Sequence, residues 1–129
     1  MKNLQIAILP GEFSIWCLDA DTQPPAMEPG CFHSITRTHE ELSIVAPSSE
    51  VPAGAMAENG WRCLKVEGPL PFEMTGVLSA LSTPLAKAEI PIFVVSTFDT
   101  DYLLVKATDL EKACMTLGDE GFVVDSARK

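Results

Sequence analysis

Basic residues are scarce in this chain: 9 lysines and arginines stand against 18 aspartates and glutamates in 129 residues, a formal charge of −9. Nucleic acids and anionic membrane surfaces both reward Lys and Arg, so neither is an expected partner. Histidine is scarcer still. His33 and His39 are the only two, and neither has a cysteine or carboxylate at ligand spacing, so both are expected to be surface or packing residues and no metal is predicted. The four cysteines, Cys17, Cys31, Cys63 and Cys114, stand singly, which excludes zinc knuckles and redox pairs. They are expected to be buried thiols in a reducing compartment. Long apolar runs are missing as well. Leu4–Leu9 is closed by Pro10-Gly11, too short for a signal-peptide core or a membrane span, and the expected location is cytoplasmic. Nucleophile-elbow, P-loop, dinucleotide and zincin motifs are absent, so no catalytic residue and no cofactor is predicted, and the chain is not read as an enzyme.

What is present is ample core material. A 47% apolar content with 21% charged residues suits a globular α/β domain, or two very small ones. The first sixty residues read as strands: Leu4–Leu9, Phe13–Leu18, Phe32–Thr38 and Leu42–Ala46 are rich in branched and aromatic residues and separated by Pro and Gly. Phe13, Ile15 and Cys17 alternate with Ser14 and Trp16, the period of a strand. The loop with Pro24, Pro25, Pro29 and Gly30 cannot be helical through its middle. A second loop, residues 47–60, marks the expected boundary between residues 1–60 and 61–129.

The second half changes rhythm. Trp61–Val66 alternates as a strand, and from Thr75 the positions Val77, Leu81 and Leu85 recur every fourth residue, predicting a core-facing helix that Pro84 should kink or shorten. Ile92–Thr97 and Tyr102–Lys106 are strands. Thr108-x-x-Glu111 predicts a capping box, after which Leu110, Ala113, Cys114 and Leu117 share a helical face. Gly118 and Gly121 are expected to stop that helix before a last strand at Phe122–Val124. The order β-α-β-β-α-β is the ferredoxin-like arrangement with an antiparallel sheet.

The most informative stretch joins the two middle strands of this half: Ser96-Thr97-Phe98-Asp99-Thr100-Asp101. A helix N-terminus at Thr75-Gly76-Val77 attracts a carboxylate, and an Asp attracts an ammonium group, a combination that suits a zwitterion rather than bond-breaking chemistry. Gly76 either lets backbone N–H groups approach a ligand or relieves crowding between helix and sheet. Asp99 is explained by turns recruiting Asp to bond local backbone. Asp101 is explained less well that way, since Asp is disfavoured beside a strongly apolar strand, and it is the better ligand candidate. Thr97 and Phe98 are either ligand contacts or parts of an ordinary edge strand. Trp16 and Trp61 read as core or interface anchors.

The segments Gly68-Pro69-Leu70-Pro71-Phe72, Thr75-Gly76-Val77-Leu78, Pro84-Leu85-Ala86 and Ser96–Tyr102 together resemble the ACT domain. Arg37-Thr38 and Glu41–Val45 extend the resemblance to a small bacterial group with two ACT-like domains in one chain, the first here a degenerate, strand-rich version. The C-terminal pattern is also similar to part of the CASTOR arginine sensors of animals, with one departure: where those carry an acid two positions before the glycine, Met74 stands here. The resemblance implies a regulatory module that binds an amino acid or similar small molecule where ACT units meet, with a homodimer as the expected assembly. Taken with the helix start and the acidic turn, the expected ligand-binding residues are Thr75, Gly76, Val77, Ser96, Thr97, Phe98 and Asp101. The rival expectation is a ligand-free interaction module assembling through its sheet edges.

Overall fold

The computed structural model describes residues 4–71 and 74–125; Phe72, part of a segment that carries the resemblance, lies outside them. In chain order come β1 (Gln5–Ile8), β2 (Phe13–Leu18), β3 (Ser34–Arg37), β4 (Leu42–Pro47), β5 (Ala57–Val66), α1 (Val77–Lys87), β6 (Ile92–Ser96), β7 (Asp101–Lys106), α2 (Leu110–Asp119) and β8 (Val123–Asp125). Contacts divide the chain into two compact units, Met1–Pro10 with Arg62–Lys129, and Gly11–Trp61. The division expected at residue 60 left β1 with the N-terminal part. Pairing places it elsewhere: Ile6, Ala7 and Ile8 lie antiparallel to Val66, Lys65 and Leu64, and Gln5–Ala7 lie parallel to Val123–Asp125.

The larger unit has the expected β-α-β-β-α-β order from the second half of β5 to β8. Its strands run β6–β7–β5–β1–β8. Because β1 is antiparallel to β5 and parallel to β8, β8 runs antiparallel to β5, as the ferredoxin-like order requires. The inserted β1 adds one parallel pair to a sheet expected to be antiparallel throughout. Ile6, Ile8, Leu64, Val66, Leu103 and Val105 sit two apart along their strands and so share one face. Val77, Leu81 and Leu85 of α1 and Leu110, Ala113 and Leu117 of α2 pack with them in one core. Each of the Val, Leu and Ile side chains among them contributes about 1.5–3 kcal/mol on burial.

Helix ends depart from expectation in instructive ways. The capping box at Thr108 does not form: a 3₁₀ turn, Ala107–Asp109, runs directly into α2, whose N-cap Asp109 makes no side-chain capping bond. Gly118 lies inside α2 rather than ending it. The stop is a Schellman pair, with Phe122 N–H donating to Leu117 O and Gly121 N–H to Gly118 O. The end of α1 repeats that pair, Ile90 N–H to Leu85 O and Glu89 N–H to Ala86 O, but its left-handed position is occupied by Glu89 at φ 62°. Pro84 lies within α1, which continues to Lys87.

The smaller unit is antiparallel, in the order β3–β4–β2 and then the first half of β5. Among its described residues the only helical segment is a 3₁₀ turn, Ser48–Glu50. Trp16, Leu42, Ile44 and Ala46 form one small buried cluster, and Phe13, Val45 and Trp61 are buried as well. Trp16 faces inward, so Cys17, one residue on, faces out. That alternation overturns the expectation of four buried thiols, since Cys17 and Cys31 are exposed while Cys63 is buried. β5 also starts earlier than expected, at Ala57 inside the anticipated loop. Phe13 pairs with Trp61 and Ile15 with Glu58, so β5 carries one extra residue, a bulge that Gly60 accommodates at φ 81°. The buried Ser14 hydroxyl ties this region together, donating to Asn59 Oδ1 at 2.7 Å and lying 2.8 Å from Ser48 Oγ. Arg37 holds the Pro-rich loop through the carbonyls of Ala20 and Thr22.

Candidate functional site

The β6–β7 connection is a tight turn built by its threonines. Thr97 N–H donates to Thr100 O at 2.8 Å, and Thr97 Oγ1 accepts from Thr100 N–H at 3.3 Å. The local bonding expected of Asp99 is therefore supplied by Thr97. Thr100 is buried and its hydroxyl donates to Val66 O at 2.6 Å, fastening the turn to the end of β5. The loop after β5 is tied to the same turn, because Leu70 N–H donates to Asp99 O at 2.7 Å. A Cβ on Gly68 would stand 3.1 Å from that carbonyl oxygen, so a side chain there would press the two segments apart by a few tenths of an ångström.

This stitching creates a groove of about 300 Å³ lined by Leu70, Pro71, Met74, Val77 and residues 96–101. Five of the seven residues expected in the site, Val77, Ser96, Thr97, Phe98 and Asp101, meet there; Thr75 and Gly76 precede α1 and do not line it. Ser96 and Asp101 face each other across the last β6–β7 pair, and Ser96 Oγ donates to Asp101 Oδ1 at 2.6 Å. That bond fixes the carboxylate on the groove wall with its remaining lone pairs able to accept further donors. Phe98 is 78% exposed at the rim.

Val77, the first residue of α1, brings the helix start to the groove. The opening amides of a helix have no intrahelical acceptors and lie at the positive end of its dipole. Gly76 precedes them at φ 82° and ψ 0°, a left-handed conformation that explains the glycine by backbone geometry. Leu70, Pro71, Met74, Asp99 and Thr100 were not among the expected site residues. Leu70 is tied to the turn by a tertiary bond with no local signature, Asp99 was read as a turn residue only, and Thr100 is a buried hydroxyl. Among the described residues no cluster of three His, Cys, Asp or Glu side chains could hold a metal ion, and no helix is long and apolar enough to cross a membrane.

Comparisons with known proteins bear on this unit above all. The family profile described as the ACT domain matches residues 56–119. The human protein CASTOR3P is 30% identical over 102 residues, covering 69% of this chain and 63% of that one. The cytosolic arginine sensor for mTORC1 subunit 1 of Bos taurus is 28% identical over 100 residues, covering 69% of this chain and 30% of its own. This chain thus spans less than two thirds of either relative. An X-ray structure of a protein from Agrobacterium tumefaciens is 40% identical, with a TM-score of 0.89 and coverage of 97% of this chain and 94% of that one. The regulatory subunit of aspartate kinase from Thermus thermophilus shares the fold at a TM-score of 0.61 and 11% identity, over 89% of this chain and 96% of its own. The β-α-β-β-α-β unit and the profile match agree: the chain carries an ACT domain, matched over residues 56–119.

Proposed function

We propose that this protein is a regulatory module that binds an amino acid in the groove between the start of α1 and the β6–β7 turn. The observation that carries the reading is the meeting of two complementary poles on one groove. Asp101, steadied by Ser96, accepts the ligand's ammonium group, and the first amides of α1 take its carboxylate. Thr97, its hydroxyl bonded to the Thr100 backbone, fixes the turn that forms this wall. A bovine relative named as an arginine sensor supports a sensing role, while Met74 in the groove wall gives no reason to carry arginine over. The reading is one of binding, without bond-breaking chemistry, in a cytoplasmic setting.

The test is thermal unfolding with and without each of the common amino acids. A ligand of the native state raises stability by about 2.7 kcal/mol at a hundredfold excess over its dissociation constant. A melting temperature unmoved by any amino acid contradicts the reading and favours the interaction-module alternative. One observation belongs to assembly: among the described residues β6 pairs with β7 alone, and an apolar edge strand of this kind is usually covered. We therefore expect a homodimer, measured as twice the chain mass in sedimentation.

A further inference from the structure

We infer that the groove beside α1 selects amino acids whose side chain is apolar. The inference rests on the binding site proposed above and concerns what that site accepts. Among the described residues the lining contains Asp99 and Asp101 and no Lys, Arg or His. A ligand carrying a second carboxylate would meet two acids with no side-chain cation to offset them, and such uncompensated like charge is an effective means of rejection.

The two acids are not equivalent. Asp101 stands at the start of β7 and is held toward the groove by Ser96, which suits a single, fixed partner such as the α-ammonium group. Asp99 lies at the tip of the turn, where it also lines a second cavity of about 150 Å³ with Lys65 and Tyr102. Lys65, the cation lining that cavity, lies 3.7 Å from Glu67. Asp99 is committed to the turn through its backbone carbonyl, which accepts the Leu70 bond. Asp101 is the carboxylate held by a side-chain bond and offered to the ammonium group.

Beside the acids and the hydroxyl residues Ser96, Thr97 and Thr100, the wall is apolar: Leu70, Pro71, Met74, Val77 and Phe98. Met74 is 40% and Phe98 78% exposed, leaving hydrocarbon surface that a ligand side chain would cover. Small-molecule sites of this kind are fixed by a few polar groups and filled against apolar walls. A groove of about 300 Å³ has room for one amino acid with a side chain the size of leucine, methionine or phenylalanine.

Calorimetric titration of the full chain with alanine, leucine, methionine, arginine, lysine and glutamate tests this. Leucine and methionine should bind about tenfold or more tighter than alanine, as expected for the added methylenes, and glutamate should not bind measurably. Met74→Ala should weaken leucine by about threefold to tenfold while alanine changes by less than about twofold. Arginine or lysine binding more tightly than leucine would overturn the inference and leave the amino-acid reading intact. Equal losses for leucine and alanine in Met74→Ala would remove the apolar wall as the selector. Binding of none of the six would overturn the inference, and the underlying reading falls with it when no common amino acid moves the melting temperature.

Discussion

The two units of this chain solve the same problem with unequal means. Arg62–Lys129 with Met1–Pro10 lays two helices on one face of its sheet and buries fourteen apolar residues in one cluster. Gly11–Trp61 has strands and loops around seven buried apolar residues, four of which, Trp16, Leu42, Ile44 and Ala46, form one cluster. Helices bring side chains to a sheet three or four residues apart and cover it densely, whereas a loop carries polar backbone that cannot be buried unpaired. The small unit compensates with polar ties: the Ser14–Asn59–Ser48 cluster and the Arg37 bonds to its Pro-rich loop. The candidate groove lies on the helical unit, where a packed scaffold holds a short turn in place.

The largest expected effect probes how little the small unit can lose. Trp16 is 2% exposed and is the largest side chain of its cluster. Trp16→Ala should destabilise the protein by about 3–5 kcal/mol in urea titration. Leu85→Ala, at a fully buried site among many neighbours, should cost about 2–5 kcal/mol. A Trp16→Ala loss below about 1 kcal/mol would show that the smaller core contributes little and would break the comparison.

The next effect is read in pH. Burial pushes the Cys63 thiol from 9.0 up to about 12. The folded form keeps its proton while the unfolded chain releases it, so the contribution is complete below about pH 9 and falls as pH rises toward 12. Linkage puts that loss at up to about 4 kcal/mol. The difference in pH dependence between the parent protein and Cys63→Ala isolates it. Thiol labelling at neutral pH should modify Cys17 and Cys31, which are exposed, and spare Cys63. Identical slopes for parent and variant between pH 9 and 11 would contradict the assignment to Cys63.

The smallest effect sharpens the helical side of the comparison. The matching Schellman ends of α1 and α2 differ at one position, Glu89 against Gly121. Glu89 holds a left-handed conformation that costs a side chain about 1–2 kcal/mol. Glu89→Gly should therefore stabilise the protein by about 1 kcal/mol, after the added unfolded-state freedom of glycine. A lower urea midpoint for Glu89→Gly would contradict it.

Much of this architecture was legible because local signals agreed with one another. Val77, Leu81 and Leu85 announced the buried face of α1, and Phe13–Leu18 matched its strand residue for residue. What was not legible was non-local or doubly determined. Nothing in Leu4–Leu9 says that it will lie between β5 and β8. Asn59-Gly60 reads as a loop, although the bulge keeps it within a strand. Gly118 and Gly121 look alike in sequence, and only the helix-end bonds distinguish the interior one from the stop. The turn at residues 96–101 stood out because acids and hydroxyls interrupted two apolar strands. Its opposite wall did not, because a single bond from Leu70 to Asp99 brings it there.

The proposed contact between Asp101 and a ligand's ammonium group is tested by titration calorimetry with the amino acid that most raises the melting temperature. A charge-assisted hydrogen bond contributes about 1.5–3 kcal/mol, so Asp101→Asn should weaken binding by roughly one to two orders of magnitude. Asp99→Asn, whose backbone carbonyl rather than its side chain ties the turn to Leu70, should bind nearly as the parent does. Equal affinity for the parent and Asp101→Asn would contradict the account.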